Sequence, residues 1–360
     1  MKRKKQKIKS WILPVLAIVV FAITRILAGL PDFTEFAYSQ GIYPHLASFI
    51  SFFSWFFPFS LDDLFYFLLI LLVLVLIVLL VFKKIRLVKA GKIVLNVFAL
   101  VFILFYVFWG FNYFRADLNT RLNIHEQKAN TEYFLVVFEK LVNQTNKSYS
   151  NFEGFDIAEI DSLVEESYKN LSPALKLKYP AGKRKAKKIS LSSFFGKAGI
   201  SGYFGPFFSE VHVNSKVLPV EYPFVLAHEK AHQFGITSEA EANFYAWLVC
   251  SQSSSKKLQY SGNLVLLRYF INQGFQLDGF SEIINKLDGE VRKDYKEIRE
   301  HWMTLRNEKV DKIATKVNDT YLKTNKVEKG IEDYKGVVKY AMDFSLDTAF
   351  QKRYNLPFFY

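Results

Sequence analysis

Cysteine occurs once in the 360 residues, at Cys250, so no intrachain disulfide can staple the fold and a disulfide scaffold is excluded. Internal repeats and low-complexity linkers are absent as well. Acids are missing from two basic stretches. Residues 1–10 hold Lys2, Arg3, Lys4, Lys5, Lys7 and Lys9, and residues 83–92 hold Lys83, Lys84, Arg86, Lys89 and Lys92, with no Asp or Glu in either. Conversely, residues 31–63 contain no Lys or Arg. The formal net charge of +13 comes mostly from those eleven cations. A positive excess confined to the borders of apolar segments is a topology signal, so nucleic acid is not an expected partner.

Charge is also scarce in three apolar runs, which lie before Tyr113. Hydrophobic residues make up 51% of the chain, with 37 Phe and 20 Tyr. Mean hydropathy is nevertheless only +0.08, the average of a strongly apolar part and a polar one. A wholly soluble protein is thereby excluded. The runs Trp11–Leu30, Leu64–Phe82 and Ile93–Phe111 are each about 20 residues, enough at ~1.5 Å per residue to cross a ~30 Å hydrocarbon core. The basic leader of the first also suits a cleaved signal peptide. No small-x-small site follows it, which favours an uncleaved anchor with Arg25 snorkelling near its end. Trp109 and Tyr113 are placed as interfacial anchors of the third. The positive-inside rule then puts residues 1–10 and 83–92 in the cytoplasm and everything after Phe111 outside. The aromatic stretch Tyr38–Pro58 is expected as an amphipathic or re-entrant piece at the membrane surface, or as a loop packed on its own bundle.

Residues 1–111 are thus expected as a membrane anchor of three transmembrane helices. Residues 112–360 are long enough for one mainly helical α+β domain. Apolar spacing predicts helices over 131–142 and 157–170, a β-like stretch Lys188–Phe195, an exposed strand over Glu210–Val217, and helix from Pro223 to about Met342. The basic cluster Lys183, Arg184, Lys185, Lys187 and Lys188 reads as a solvated loop or a contact with an anionic envelope polymer.

The chemistry is concentrated in Pro223–Cys250. His228-Glu229-Lys230-Ala231-His232 is an H-E-x-x-H, expected by chance in only about one such chain in a hundred. On a helix, His228 and His232 share one face a turn apart and can bind one metal ion, with Glu229 beside them as general base. Pro223 suits a first helical turn and Gly235 suits the stop. A zinc site of this kind needs a third ligand. Ser238 and Glu241 have the spacing of a capping box, which leaves Glu239 as the third ligand, with Glu241 the second choice. Asn243, one turn beyond Glu239, is expected to hydrogen-bond a ligand imidazole. Tyr203, Tyr245 and Tyr260 are candidate donors to a developing oxyanion. Cys250 is expected in the core, and His45, His125 and His301 show no metal spacing. His212 reads as a surface or core residue.

H-E-x-x-H followed by E-x-x-A-N resembles the gluzincin metallopeptidases. That resemblance implies His228, His232 and Glu239 as ligands of Zn²⁺, Glu229 as base, and a zincin-like domain. Asn243 departs from the commoner Asp of the second motif. The likeness extends to a bacterial membrane-anchored family of unknown function through Tyr38-Ser39-Gln40-Gly41-Ile42-Tyr43-Pro44, Pro58-Phe59-Ser60-Leu61, Trp109–Arg115 and Tyr260-Ser261-Gly262. It continues in Asn318-Asp319-Thr320-Tyr321-Leu322-Lys323 and Gly330-Ile331. The expected function is a membrane-bound zinc metallopeptidase acting on a peptide or protein at the membrane surface. Glu210–Val217 is expected either as the edge strand that pairs with an extended substrate or, equally, as an ordinary strand of a sheet. The alternatives are a zinc amidase acting on an envelope polymer and a non-catalytic receptor or scaffold that retains the metal site.

Overall fold

The computed structural model describes residues 11–356 except 129, 180, 181, 326 and 328, so the basic leader 1–10 lies outside the described residues. The chain divides into two compact units: Met1–Ala116 with Pro180–Arg184 and Gly205–Glu210, and Asp117–Tyr179 with Lys185–Phe204 and Val211–Tyr360.

In the first unit the run Trp11–Leu30 is not one continuous helix. Helix Ile12–Leu27 has 16 residues, about 24 Å at 1.5 Å per residue and short of a ~30 Å core. Pro31 disfavours helical geometry at Leu30, which sits at φ −132°, ψ 59°. The chain then bends by 113° into Pro31–Trp55. That segment is a short helical turn, a π-helix Thr34–Ile42 and the α-helix Tyr43–Trp55. Leu61–Val81 and Leu87–Phe108 are both long and apolar enough to cross a membrane, and the bent pair counts as a third only if it is a single span. Leu61–Val81 starts three residues earlier than the apolar run because Ser60 accepts from the Asp63 amide at 2.8 Å. Asp62 and Asp63 then lie in the first turn, where the helix dipole favours them.

Two stretches of the first unit that hydropathy alone does not place pack together. The Tyr38 hydroxyl donates to the Val107 carbonyl at 2.8 Å, and its ring meets Phe111 edge-on at 5.4 Å. Arg115 grips Glu35 through Nε at 2.7 Å and Nη2 at 2.8 Å. Asp62 is fully buried, and its carboxylate accepts from the amides of Phe207 and Phe208, both at 3.3 Å. Glu210 accepts in turn from Ser60 Oγ and the Asp62 amide, both at 3.1 Å. Gly205–Glu210 therefore belongs with this unit because it supplies the partners that a buried carboxylate requires.

The second unit is mainly helical around one core. Helices Thr131–Ser148 and Ile157–Leu171 form where the spacing predicts, started by Asn130 and Asp156 side chains at their N-caps. At the centre is Glu239–Ser251, buried at every position from Glu239 to Cys250. Its apolar residues surround the helix, as a segment packed on all sides requires. Tyr222–Gln233 and Lys256–Gly274 lie against it, and Phe344 and Phe350 extend its cluster with Phe244 and Trp247.

The strand expectations need correction. The sheet has three short strands, β1 Lys187–Lys188, β2 Gly202–Gly205 and β3 Glu210–Val213, in the order β1-β3-β2. β1 is parallel to β3, with Lys187 opposite His212. Glu210–Val213 is thus a central strand and all four residues are buried, so it has no edge to offer a substrate. Most of Lys188–Phe195 is not β either, since Ser192–Lys197 is helical.

Candidate metal centre

The site is built at the junction of two helices. Tyr222–Gln233 lacks a side-chain cap from its own N-cap residue, but Ser261 of the Tyr-Ser-Gly segment accepts from the Phe224 amide at 3.2 Å. The neighbouring Gly262 lets helix Lys256–Gly274 close on Cys250, where a Cβ would sit 2.7 Å from the cysteine Cβ. Cys250 is fully buried, and burial pushes its thiol well up, so it is a packing residue. Lys230, the first variable residue of H-E-x-x-H, is also fully buried and pairs with Asp161 and Glu165 at 2.6 Å each. The face opposite the histidines is thereby anchored by a charge compensated twice.

The helix stops in a turn that also aims a ligand. Gly235 adopts φ +83°, its amide bonds the His232 carbonyl at 2.9 Å, and the Ile236 amide reaches back to the Ala231 carbonyl at 3.1 Å. This is the Schellman arrangement, which glycine allows at little cost. It turns the Ile236 carbonyl onto His232 Nδ1 at 2.7 Å. A carbonyl can only accept, so Nδ1 carries a proton, and Nε2 is the nitrogen left facing the other side chains.

Three donor atoms converge there. His228 Nε2 and His232 Nε2 are 3.1 Å apart, and Glu239 Oε2 lies 3.1 Å from the first and 3.4 Å from the second. An ion bound tetrahedrally with ligand bonds of ~2.0–2.1 Å holds its donor atoms roughly 3.3 Å apart. The triangle therefore has the size of one face of such a site. Glu239 Oε2 and His228 Nδ1 are buried and make no hydrogen bond among the described residues, the state expected of groups arranged for something other than each other. Without an ion, burial lowers the proton affinity of His232, but the negative charge of the nearby Glu239 carboxylate outweighs this and raises the imidazole to about 9. Burial likewise raises Glu239, yet the two imidazoles hold it well below the usual carboxylate range.

Glu229 sits beside the triangle, 5% exposed. Burial pushes its carboxyl up to about 7, against the lowering effect of His228 and His232. The room for it comes from Gly202 on β2, where a Cβ would stand 2.6 Å from Glu229 Oε1.

The other expected residues have different places. Ser238 does cap the Glu239 helix, accepting from the Glu241 amide at 3.3 Å. The Glu241 side chain is not at the metal cluster. It accepts from the Leu118 amide at 3.0 Å and pairs with buried Arg121 at 2.7 Å. Asn243 bonds no imidazole; its Nδ2 donates to the Tyr269 hydroxyl at 3.1 Å. Tyr245 donates to the Leu175 carbonyl at 3.0 Å and Tyr260 to Asp294 at 2.7 Å, so both hydroxyls are committed elsewhere. Tyr203 follows Gly202 on its strand, so its side chain leaves the opposite face, stacked on buried His212 at 4.2 Å. His125 faces Asp347, and His301 bonds the Lys216 carbonyl at 2.6 Å. In the basic stretch, Lys183 Nζ lies above the Trp55 ring at 4.4 Å.

Residues that spacing did not single out complete the surroundings. Tyr334 and Tyr269 both feel the Glu239 charge, and burial raises both hydroxyls, Tyr269 to about 12, so each keeps its proton near neutral pH. Tyr334 also feels Glu229 and hydrogen-bonds Asn318. The segment Asn318–Gly330 pointed toward this region without naming its tyrosine.

Searches among curated proteins and among solved structures found no match. A family profile does match, over residues 38–342, a range that includes both long apolar helices and the whole histidine–glutamate cluster. The chain belongs to the family described as protein of unknown function (DUF3810).

Proposed function

We propose that this chain is a membrane-bound zinc metallopeptidase of gluzincin type, hydrolysing peptide bonds of envelope or membrane-surface proteins outside the cytoplasm. The observation that carries this reading is the convergence of His228 Nε2, His232 Nε2 and Glu239 Oε2 within 3.4 Å, beside Glu229. Two imidazoles and a carboxylate on helices, with an adjacent base, suit zinc better than iron. Bound zinc supplies Lewis acidity toward a carbonyl and lowers the pKa of water. The protein's own part follows from its groups. Glu229, at about 7, accepts the proton of the attacking water near neutral pH and passes it to the leaving amine. The protonated Tyr334 hydroxyl takes the place expected of Tyr203, Tyr245 or Tyr260, donating to the carbonyl oxygen as charge develops. β2, an outer strand beside Glu229, offers backbone pairing to an extended peptide. A receptor or scaffold would have no need of a carboxylate held next to three ligands.

Glu229→Gln tests the proposal, because it preserves shape but cannot accept the proton. The detergent-purified variant should keep about one zinc and near-wild-type thermal stability while hydrolysis of a peptide library falls by a factor of ~10² or more. His228→Ala should lose zinc and activity together. Equal hydrolysis by Glu229→Gln and wild type would remove the base from the mechanism and leave the scaffold alternative ahead.

A further inference from the structure

The pattern Asn318-Asp319-Thr320-Tyr321-Leu322-Lys323 with Gly330-Ile331 has no part in binding an ion directly. It builds a strap. Helix Glu308–Thr324 ends, and the 3₁₀ helix Gly330–Gly336 returns along the first turn of the Glu239 helix. Asp319 fixes the return, accepting from the Ile331 amide at 3.1 Å and pairing with Lys323 at 2.8 Å. Gly330 takes φ +55°, and any Cβ there would run into the Asp319 carboxylate. At the far end Gly336 lies so close that a Cβ would sit 2.9 Å from that of Ala240.

Between these points Asp333 reaches the start of the Glu239 helix. Its Oδ2 accepts from Ser238 Oγ at 2.8 Å and from the Ala240 amide at 3.2 Å, across 95 residues of sequence. Ser238 Oγ passes the connection on by accepting from the Glu241 amide. The residues on either side of Glu239 are therefore both held by one carboxylate, whose charge also suits a helix N-terminus. Ser238 alone serves as an ordinary cap for this helix. The second acceptor adds a lateral anchor that fixes where the first turn points.

We propose that Asp333 is a positioning residue for the metal carboxylate: by holding Ser238 and Ala240 it aims Glu239 Oε2 between His228 and His232, which makes the 3₁₀ segment Gly330–Gly336, fixed by Asp319, a working part of the site. This rests on the cluster being a metal centre. The test is zinc affinity of the full chain in detergent, by competition with a chromophoric chelator, alongside the melting temperature of the metal-free protein. Asp333→Ala should weaken zinc affinity about 10- to 100-fold. Asp333→Asn, which keeps an acceptor oxygen, should recover most of that loss. Asp156→Ala removes the cap of a different helix and should lower the melting temperature while leaving affinity unchanged. If Asp333→Ala does not fold, Gly330→Ala, which displaces the strap without touching the two ligand helices, should lower affinity in the same way. Affinity equal to wild type in Asp333→Ala, or in Gly330→Ala where that variant is needed, overturns the positioning role and leaves the metal centre standing. A wild-type chain that binds no zinc overturns the metal centre itself.

Discussion

His232 holds a proton that, on the proposed zinc reading, an incoming ion would have to displace. The Glu239 carboxylate keeps that imidazole charged up to about pH 9, well above an ordinary histidine. A ligand nitrogen binds metal only when bare, so protonation competes with the ion. Apparent zinc affinity should therefore rise with pH between 6 and 8, by up to about tenfold per unit. Chelator competition at three pH values reads it, and a flat profile would mean that His232 is not a ligand. The histidine–glutamate cluster was legible in the sequence because i, i+4 histidines with an adjacent glutamate bring three polar side chains to one helical turn. Tyr334 was not, because its position depends on a chain reversal about 95 residues from Glu239, and no local spacing encodes that. Lys230 was silent for a related reason. A lysine on a helix reads as solvated until Asp161 and Glu165 are seen to enclose it.

The Glu239 helix has its two acidic residues in the first turn doing different work. Glu239 enters the cluster, whereas Glu241 turns to Arg121, which is 6% exposed and has no water to fall back on. Glu239→Gln should cost most of the bound zinc. Glu241→Gln should keep it but destabilise the protein by about 3–5 kcal/mol, because a buried guanidinium loses its counter-charge. A cap residue alone would cost less, about 0.5–2 kcal/mol. Metal analysis and melting curves on both variants separate the roles; zinc loss in the Glu241 variant would exchange them. The boundaries of both helices were legible from Pro223 and Gly235, acting through their backbones, and from Ser238, acting through its hydroxyl. The strands were misjudged because Glu210 and His212 look like the exposed half of an alternating pattern. In the structure Glu210 is satisfied by Ser60 and an amide, and His212 lies buried with its ring stacked on Tyr203, so polar residues sit inside.

For the whole molecule, sidedness turns on how the bent segment Ile12–Trp55 meets the bilayer. Leu61–Val81 and Leu87–Phe108 are each long and apolar enough to cross, and two crossings would return the chain to the side on which it started. Only a third crossing, by the bent pair, would put the C-terminus opposite the N-terminus. The basic stretches favour that outcome, so a reporter fused after Phe82 should report cytoplasm and one after Tyr360 the outer side. A cytoplasmic reading at Tyr360 would remove both the localisation and the envelope substrate. The apolar runs were legible in composition, but the first of them did not show that its helix stops at Leu27, before the turn into Pro31.

The burial of Asp62 also sets a timetable for synthesis. Its carboxylate is completed by amides that follow it by 145 and 146 residues. At about 5–20 residues per second, the ribosome delivers those amides roughly 7–30 s after the aspartate. Throughout that interval the carboxylate at the head of a helix apolar enough to cross a membrane lacks the amides that its burial requires. Asp62 can take its buried place only once Phe207 and Phe208 have been made, so this end of the helix is completed long after its own sequence has left the ribosome.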